Sequence, residues 1–348
     1  MFHRFFYNAP VRLFSLVVAL SLAAYPQSWT VRTQGRATNL RGVSVTRANS
    51  GATIVWASGS KGVVLRSTDH GKSWAELQIP SAENLDFRDI EAFDADTAYV
   101  MSSGDADKSR IYKTSDGGKS WALQYTGKSP GFFLDSIACD SNIHCLALSD
   151  PVDGKFLVLA TADGEHWKEL PRDKMPPALP TEGAFAASGT SLALCGEHVY
   201  FGTGGPSARI FRSADRGLSW TVSETPTASG NASSGIFSIA CRQRSLVAVG
   251  GDYRDPANPH RTAINSTDAG STWHLAEQPA GGYRSAVTFV SNSDLVALGT
   301  NGTDLSRDAG AHWRRTDVLN LNAVSFSGAE GWAVGPQGTI AEFNKNQF

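Results

Sequence analysis

Residues 67–74 of this 348-residue chain read STDHGKSW, and this stretch decides the fold because it recurs along the sequence. The shared pattern is Ser/Thr-x-Asp-x-Gly-x-Ser/Thr-Trp. Further copies occupy residues 114–121 (TSDGGKSW), 213–220 (SADRGLSW), 266–273 (STDAGSTW) and, more weakly, 306–313 (SRDAGAHW). A copy shortened by one residue lies at 161–167 (TADGEHW). We call these six segments the Asp turns.

The residue types of the Asp turns suit a tight chain reversal. The Asp carboxylate can accept backbone N–H groups across a turn. The Gly supplies a positive φ that other residues resist, and the Trp buries a large ring against neighbouring strands. None of these roles needs a substrate, so we interpret the six Asp residues as turn formers and not as catalysts.

The spacing of the turns predicts the architecture. Their Asp residues stand at positions 69, 116, 163, 215, 268 and 308, which are 40 to 53 residues apart. This period is typical of a four-stranded propeller blade. Before the second turn, residues 88–93, 97–101 and 110–113 have the composition of three strands, and Trp121 opens a fourth.

The two ends of the repeat region complement each other. Seven inner-strand segments accompany the six turns, and the last blade, residues 322–343, lacks a fourth strand. Residues 28–32 read as a fourth strand with no blade before it. We therefore predict an all-β fold, a seven-bladed β-propeller closed by the N-terminal strand, with Trp29 beside residues 339–343. Such closure leaves few exposed sheet edges.

The N-terminal residues have the composition of an export signal. Arg4 and Arg12 precede the nearly continuous apolar stretch Leu13–Ala24, which is short for a membrane span. We predict a signal peptide at residues 1–24, a single propeller domain at 25–348, and a periplasmic or secreted protein without a membrane span after cleavage. An uncleaved anchor is the alternative, because the cleavage site is not a clean Ala-x-Ala.

The charge balance argues against nucleic-acid binding. The net charge is −2, and removal of the signal takes away two Arg and no acid, which gives −4. Nonspecific nucleic-acid binding needs a basic face. We predict no cofactor, since no Gly-x-Gly-x-x-Gly follows a strand. We also predict no metal site, because Asp105 and Asp107 form only an incomplete calcium loop.

Four cysteines, at positions 139, 145, 195 and 241, bear on the redox state of the chain. Cys139 and Cys145 flank a short turn, so a cross-strand disulfide is one expectation in an oxidising compartment. Four buried free thiols are the alternative, and the spacing does not match a zinc site.

The Asp turns resemble the Asp-box, or bacterial neuraminidase repeat, of sialidases, sortilin-type receptors and photosystem II assembly and stability factors. The resemblance covers residues 28–343. The segments Thr114–Gly118 and Gly331–Gly335 look most like the photosystem assembly factor branch, which implies a seven-bladed, non-catalytic fold. Sialidases use six blades and a Phe/Tyr-Arg-Ile-Pro segment, and this sequence has no such segment.

One set of inner-strand positions predicts a site at a mouth of the central channel. Alignment of the inner strands brings six residues to one equivalent position: Arg41, Arg88, Asp135, Phe237, Arg284 and Asn322. Three Arg together would form a cradle for a carboxylate, because guanidinium groups bind carboxylates through paired hydrogen bonds. The alternative is a structural rosette in which these Arg pair with Asp135 and Asp89.

Loops on the same face add four candidate site residues: Asp150, Asp153, Asp252 and Tyr253. Mixed carboxylates can act as acid and base, although solvated loop charges are the alternative. We therefore predict a non-catalytic propeller, like an assembly factor, that docks a protein partner or an anionic ligand on its Arg-bearing face. A glycoside hydrolase acting on a glycan at that face is the alternative, with catalytic residues unknown, and a purely structural module is a third.

Overall fold

The computed structural model describes Met1, residues 28–344 and Gln347. Apart from Met1, the predicted signal peptide lies outside the described residues. The described residues form antiparallel strands in seven sheets, with single 3₁₀ turns at Ala106–Lys108 and Pro336–Gly338. The described part of the chain has no helix with the length and hydropathy of a membrane span.

The first three blades follow one another in the chain after β1 (Trp29–Thr33). The first blade contains β2 (Leu40–Arg47), β3 (Thr53–Gly59), β4 (Val64–Ser67) and β5 (Ala75–Leu77). The second contains β6 (Asp86–Ala92), β7 (Ala98–Ser103), β8 (Arg110–Thr114) and β9 (Ala122–Thr126). The third contains β10 (Leu134–Cys139), β11 (Cys145–Val152), β12 (Lys155–Thr161) and β13 (Lys168–Glu169).

The fourth and fifth blades share a segment. The fourth contains β14 (Leu192–Cys195), β15 (His198–Gly202), β17 (Arg209–Ser213) and β18 (Thr221–Glu224), whereas the intervening β16 (Gly204–Gly205) pairs with the fifth blade. The fifth otherwise contains β19 (Asn231–Arg242), β20 (Ser245–Asp252), β21 (Ala263–Ser266) and β22 (His274–Leu275).

The last two blades complete the ring. The sixth contains β23 (Ala286–Phe289), β24 (Leu295–Gly299), β25 (Gly302–Ser306) and β26 (Arg314–Asp317). The seventh contains β27 (Ala323–Ser327), β28 (Glu330–Val334) and β29 (Ile340–Phe343), and β1 is its outermost strand. The prediction of a seven-bladed β-propeller closed by the N-terminal strand is therefore confirmed.

Closure depends on a buried tryptophan. Trp29 lies opposite Phe343 in the pairing of β1 with β29, and their rings meet edge to face with centroids 5.1 Å apart. The indole is 1% exposed, and its Nε1 donates a hydrogen bond of 2.9 Å to Thr303 Oγ1 in the sixth blade. One side chain thus joins the first strand to two blades near the other end of the chain.

The Asp turns have the predicted structural role. Asp69 Oδ1 accepts hydrogen bonds from Ser67 Oγ and the Ser73 backbone N–H, and Oδ2 accepts one from Ser73 Oγ. Hydrogen bonds from Ser73 are the main reason that the pKa of Asp69 falls to about 2. The same contacts recur at Asp116 and Asp215, whose pKa values are also lowered to about 2.

The Gly of each turn also fits against the preceding blade. Gly71 has a φ of 72°, and a Cβ placed on it would lie 2.1 Å from the Trp332 ring of the seventh blade. Gly270, with a φ of 77°, would likewise bring a Cβ to 2.9 Å from Tyr200 of the fourth blade. A side chain at either position would both strain the turn and disturb the contact between blades.

Side chains on four of the inner strands link their blade to a neighbouring blade around the channel. Their oxygens accept backbone N–H groups of the neighbouring inner strand or the residues beside it, so the blades are joined without a continuous sheet. The pairs are Ser44 with Ala92 N, Asp89 with Ile137 N, Ser238 with Val287 N, and Ser325 with Val45 N.

Two disulfides strengthen the inner strands. Cys139–Cys145 joins β10 to β11, which confirms the expected cross-strand bridge. Cys195–Cys241 joins β14 to β19 and so connects the fourth blade to the fifth. The sequence did not indicate this second pair, because its partners are 46 residues apart and lie in different blades.

The Trp29→Ala variant should lose about 3–5 kcal/mol of unfolding free energy, because a large buried ring and the closure contact disappear together. Urea denaturation of the full chain measures this loss. The control Val31→Ala changes a 38% exposed residue of the same strand and should stay within about 0.5 kcal/mol of the unmodified protein. Equal stabilities of the two variants would contradict the closure role.

Candidate functional site

A cavity of about 490 Å³ opens at one end of the central channel. It lies where the inner strands begin, and its walls come from six blades and from the connector that leads into the fourth. We call this cavity the mouth. Its volume is within the range of small-molecule sites, about 300–1,000 Å³.

The mouth contains equivalent residues of successive inner strands, as the sequence predicted, with one correction. The structure places six residues at this position: Arg41, Arg88, Asp135, Phe237, Ser285 and Asn322. The first and second blades contribute a cation each at this position, the third contributes an acid, and the fifth contributes an aromatic ring. The mouth is therefore chemically asymmetric although the fold repeats.

Arg284 does not line the mouth, and its prediction as a site residue is wrong. It is fully buried and forms an ion pair with Asp304, and its Nη1 donates to the Tyr283 carbonyl at 2.7 Å. Arg284 occupies the core position that Leu40 and Leu321 hold in the first and seventh blades. Each of the three residues has its Cα next to a Gly at the end of the neighbouring strand, namely Gly299, Gly59 and Gly335 in the same order. The predicted alignment of this blade is off by one residue, because Ser285 and not Arg284 lines the mouth. A three-Arg cradle therefore does not form.

Arg88 and Arg41 remain in the mouth with different surroundings. Arg88 donates from Nε to Asp86 Oδ2 at 2.8 Å and from Nη1 to the Ala186 carbonyl at 3.1 Å. Arg41 Nε is buried without a hydrogen-bond partner among the described residues. Burial, and then the charge of Arg88, lower the pKa of Arg41. A buried N–H group without an acceptor is costly, and an oxyanion that reached Arg41 would supply one.

Two carboxyl groups of the third blade lie beside these cations. Asp135 is 1% exposed, and neither of its oxygens has a hydrogen-bond partner among the described residues. Burial and then the charge of Asp150 raise its pKa well above the ordinary value, and Arg88 and then the backbone N–H of Asp150 offset part of this effect. Burial also raises the pKa of Asp150 to about 6, although its Oδ1 accepts the Ala184 N–H at 2.8 Å.

The structural rosette considered from sequence does not form either. Arg88 pairs with Asp86, and Arg284 pairs with Asp304. Asp89 instead accepts the backbone N–H groups of its neighbour Ile90 and of Ile137 in the next blade, at 2.8 Å each. Asp135 therefore has no role in holding the described Arg side chains through a hydrogen bond.

The remaining wall of the mouth is aromatic. Phe185 and Phe237 stack with their centroids 3.8 Å apart, and Phe237 meets Tyr283 edge to face at 4.8 Å. Tyr253 is 44% exposed and contacts both Phe237 and Tyr283. Sequence reasoning missed Phe185 and Tyr283: the first lies in an irregular connector, and the displaced alignment concealed the second.

Of three other predicted site residues, Asn322, Asp153 and Asp252, only Asn322 lines the mouth. Asn322 lines the mouth, and its Nδ2 donates to the Leu40 carbonyl, which links the seventh blade to the first. Asp153 is exposed in the turn between β11 and β12, and Asp252 braces a loop by accepting hydrogen bonds from Asn231 Nδ2 and the Arg254 N–H. Neither of these two acids lines the mouth.

Other acidic groups do not assemble into a metal centre. Within the described residues, no group of three or more His, Cys, Asp or Glu side chains is arranged to hold a metal. Asp105 accepts the Gly131 N–H and so braces a loop. At the far end of the channel, burial raises the pKa of Glu91 to about 8.

The fold and the mouth define a seven-bladed β-propeller with a mixed polar and aromatic cavity at one end of its channel. The chain belongs to the family described as the DUF6242 beta propeller domain, whose model matches residues 26–292. A comparison with curated proteins finds no match.

Solved structures share the fold at low sequence identity. YCF48 from Cyanidioschyzon merolae is 17% identical, with a TM-score of 0.64 over 92% of this chain and 100% of its own. A YCF48 structure bound to D1 peptide is 13% identical, with a TM-score of 0.62 over 92% and 99%. The GH74 xyloglucanase from Xanthomonas campestris is 18% identical, with a TM-score of 0.62 over 93% of this chain but only 54% of its own.

The Asp150→Asn variant should lose part of the pH dependence of stability. The folded-state pKa of about 6 lies above the ordinary value of 3.8, so the folded protein binds more protons, and this group costs stability as pH rises from about 4 to 6. At pH 7.5 the variant should be more stable by roughly 1–2 kcal/mol, with no gain at pH 3.

Urea denaturation at the two pH values measures this difference. The control Asp153→Asn lies in the same blade but outside the mouth, and it should show no such dependence on pH. A gain that is the same at both pH values would contradict the assignment to the ionisation of Asp150.

Proposed function

We propose that this chain is an exported, non-catalytic binding propeller that holds a carboxylate-bearing ligand or partner segment at the mouth through Arg41 and Arg88. The observation that carries the proposal is that Arg41 lines the cavity while its buried Nε has no acceptor among the described residues. An oxyanion would supply that acceptor and would contact Arg88 as well.

The shape of the mouth limits what can enter. A cavity of about 490 Å³ accommodates a small molecule or a few residues of an extended segment. A folded partner would have to contact the surrounding loops and insert one such segment. The aromatic wall formed by Phe185, Phe237 and Tyr283 would then contact the apolar part of the ligand.

The wider relationships support a binding role. YCF48, whose fold this chain shares, has been solved bound to a D1 peptide. We infer that the Asp turns are Asp-box repeats and that the chain is related to the photosystem assembly factor branch of these propellers. Export is part of the proposal, and two disulfides suit an oxidising compartment.

Calorimetric titration with the N-acetylated peptide acetyl-Phe-Glu-Glu tests the proposal. Arg41→Gln and Arg88→Gln should each weaken binding about tenfold or more, because a charged hydrogen bond contributes about 1.5–3 kcal/mol. The loss should shrink as salt screens the charges.

The matched control is Arg314→Gln, which removes the same charge from an exposed strand position away from the mouth. It should bind the peptide like the unmodified chain. If all three variants bind alike, or the unmodified chain binds no carboxylate-bearing ligand, the proposal is wrong.

A glycoside hydrolase is the second candidate, because Asp135 and Asp150 lie in the same cavity with raised pKa values. Such groups can donate a proton near neutral pH, as glycoside hydrolysis requires. GH74 enzymes share the fold but extend well beyond it. Release of reducing sugar from a glycan, abolished in both Asp135→Asn and Asp150→Asn, would favour this candidate over the binding propeller.

A further inference from the structure

The mouth presents opposite charges on neighbouring blades. Arg41 and Arg88 come from the first and second blades, and Asp135 and Asp150 from the third. The charges of Arg88 and Asp135 are close enough to affect one another. A ligand that reaches both Arg side chains therefore also lies close to the two carboxyl groups.

The two carboxyl groups on the acidic side of the mouth, Asp135 and Asp150, have few hydrogen-bond donors. Asp135 is almost completely buried, and neither of its oxygens accepts a hydrogen bond of normal geometry, although the backbone N–H of Asp150 is near enough to lower its pKa. Asp150 has one oxygen bound to the Ala184 N–H. Two neighbouring buried carboxyl groups repel each other when ionised, and a cation placed between them would offset that repulsion.

The charge balance also disfavours a purely anionic ligand. The two guanidinium groups of the mouth face three carboxyl groups, namely Asp86, Asp135 and Asp150, and Asp86 already pairs with Arg88. When Asp135 and Asp150 are ionised, an added carboxylate alone would increase the negative charge beside Asp135. A group that carries a positive charge next to its carboxylate would leave the total unchanged.

We propose that the mouth binds a zwitterion, namely an α-amino acid with an apolar or aromatic side chain. This proposal rests on the proposed function and names the class of its ligand. Its carboxylate contacts Arg41 and Arg88, and its ammonium group donates to Asp135 and Asp150. Its side chain packs against the wall formed by Phe185, Phe237 and Tyr283.

The acidic side distinguishes this class from a sugar acid. A hydroxyl group can donate a hydrogen bond to Asp135 but does not offset the charges of two carboxylates. An ammonium group does both, because it carries three donors and a full positive charge. Asp135 is therefore the residue that determines specificity, whereas Arg41 and Arg88 serve any carboxylate.

Calorimetric titration of the full chain with four probes tests the proposal. L-phenylalanine carries both charges, 3-phenylpropionate lacks the ammonium group, 2-phenylethylamine lacks the carboxylate, and glucuronate replaces the ammonium group by hydroxyls. We expect L-phenylalanine to bind at least tenfold more tightly than each of the others. Equal or tighter binding of 3-phenylpropionate or glucuronate would overturn the zwitterion and leave the carboxylate site of the proposed function standing.

Variants separate the two ends of the ligand. Asp135→Asn should abolish the preference for L-phenylalanine over 3-phenylpropionate, whereas Arg41→Gln should weaken both ligands. The control Asp153→Asn changes an acid of the same blade outside the mouth and should keep the preference. An unchanged preference in Asp135→Asn overturns the proposal, as does failure of L-phenylalanine to bind while acetyl-Phe-Glu-Glu binds. If neither L-phenylalanine nor acetyl-Phe-Glu-Glu binds, the proposed function is wrong as well.

Discussion

The pairing of β1 with β29 is the contact on which the rest of this molecule depends. Each of six blades contributes one to three residues to the mouth, and these residues meet only when the ring is closed. Trp29 secures the closure by packing on Phe343 and donating to Thr303 of the sixth blade. A purely local sheet could not bring Arg41 and Tyr283 to one cavity, because more than two hundred residues separate them in the chain.

The two faces of the propeller use their polar groups in opposite ways. The Asp turns satisfy their carboxylates with backbone and hydroxyl donors, so their acids are held ionised and their pKa values are low. At the mouth, Asp135 and the Nε of Arg41 lack such partners. A folded protein normally satisfies its buried polar groups, and exceptions of this kind are expected at functional sites.

Much of the fold could be predicted from the sequence because each relevant signal is local or periodic. The Asp turns predicted the blades, the orphan strand at Trp29 predicted closure, and the short turn after Cys139 indicated its bridge to Cys145. Arg41, Arg88 and Asp135 were placed in the mouth because three inner strands share one pattern. Asp150 followed from its position near the end of the second strand of the third blade.

The remaining features depend on geometry that no local pattern encodes. Tyr283, Arg284 and Ser285 lead into the first strand of the sixth blade, and a shift of one residue exchanges the core face of a strand for the channel face. The partner of Arg284, Asp304, lies on another strand of that blade. Phe185 enters the mouth from an irregular connector, and the bridge between Cys195 and Cys241 joins two blades.

The most direct test of the central claim is a crystal structure of the full chain without added ligand, at a resolution that shows ordered water. The claim is that the mouth holds charged groups that the protein leaves unsatisfied. We predict that only water or a bound ion contacts Arg41 Nε and the two oxygens of Asp135. Protein donors on both Asp135 oxygens together with a protein acceptor at Arg41 Nε would contradict the account and make the mouth a structural feature only.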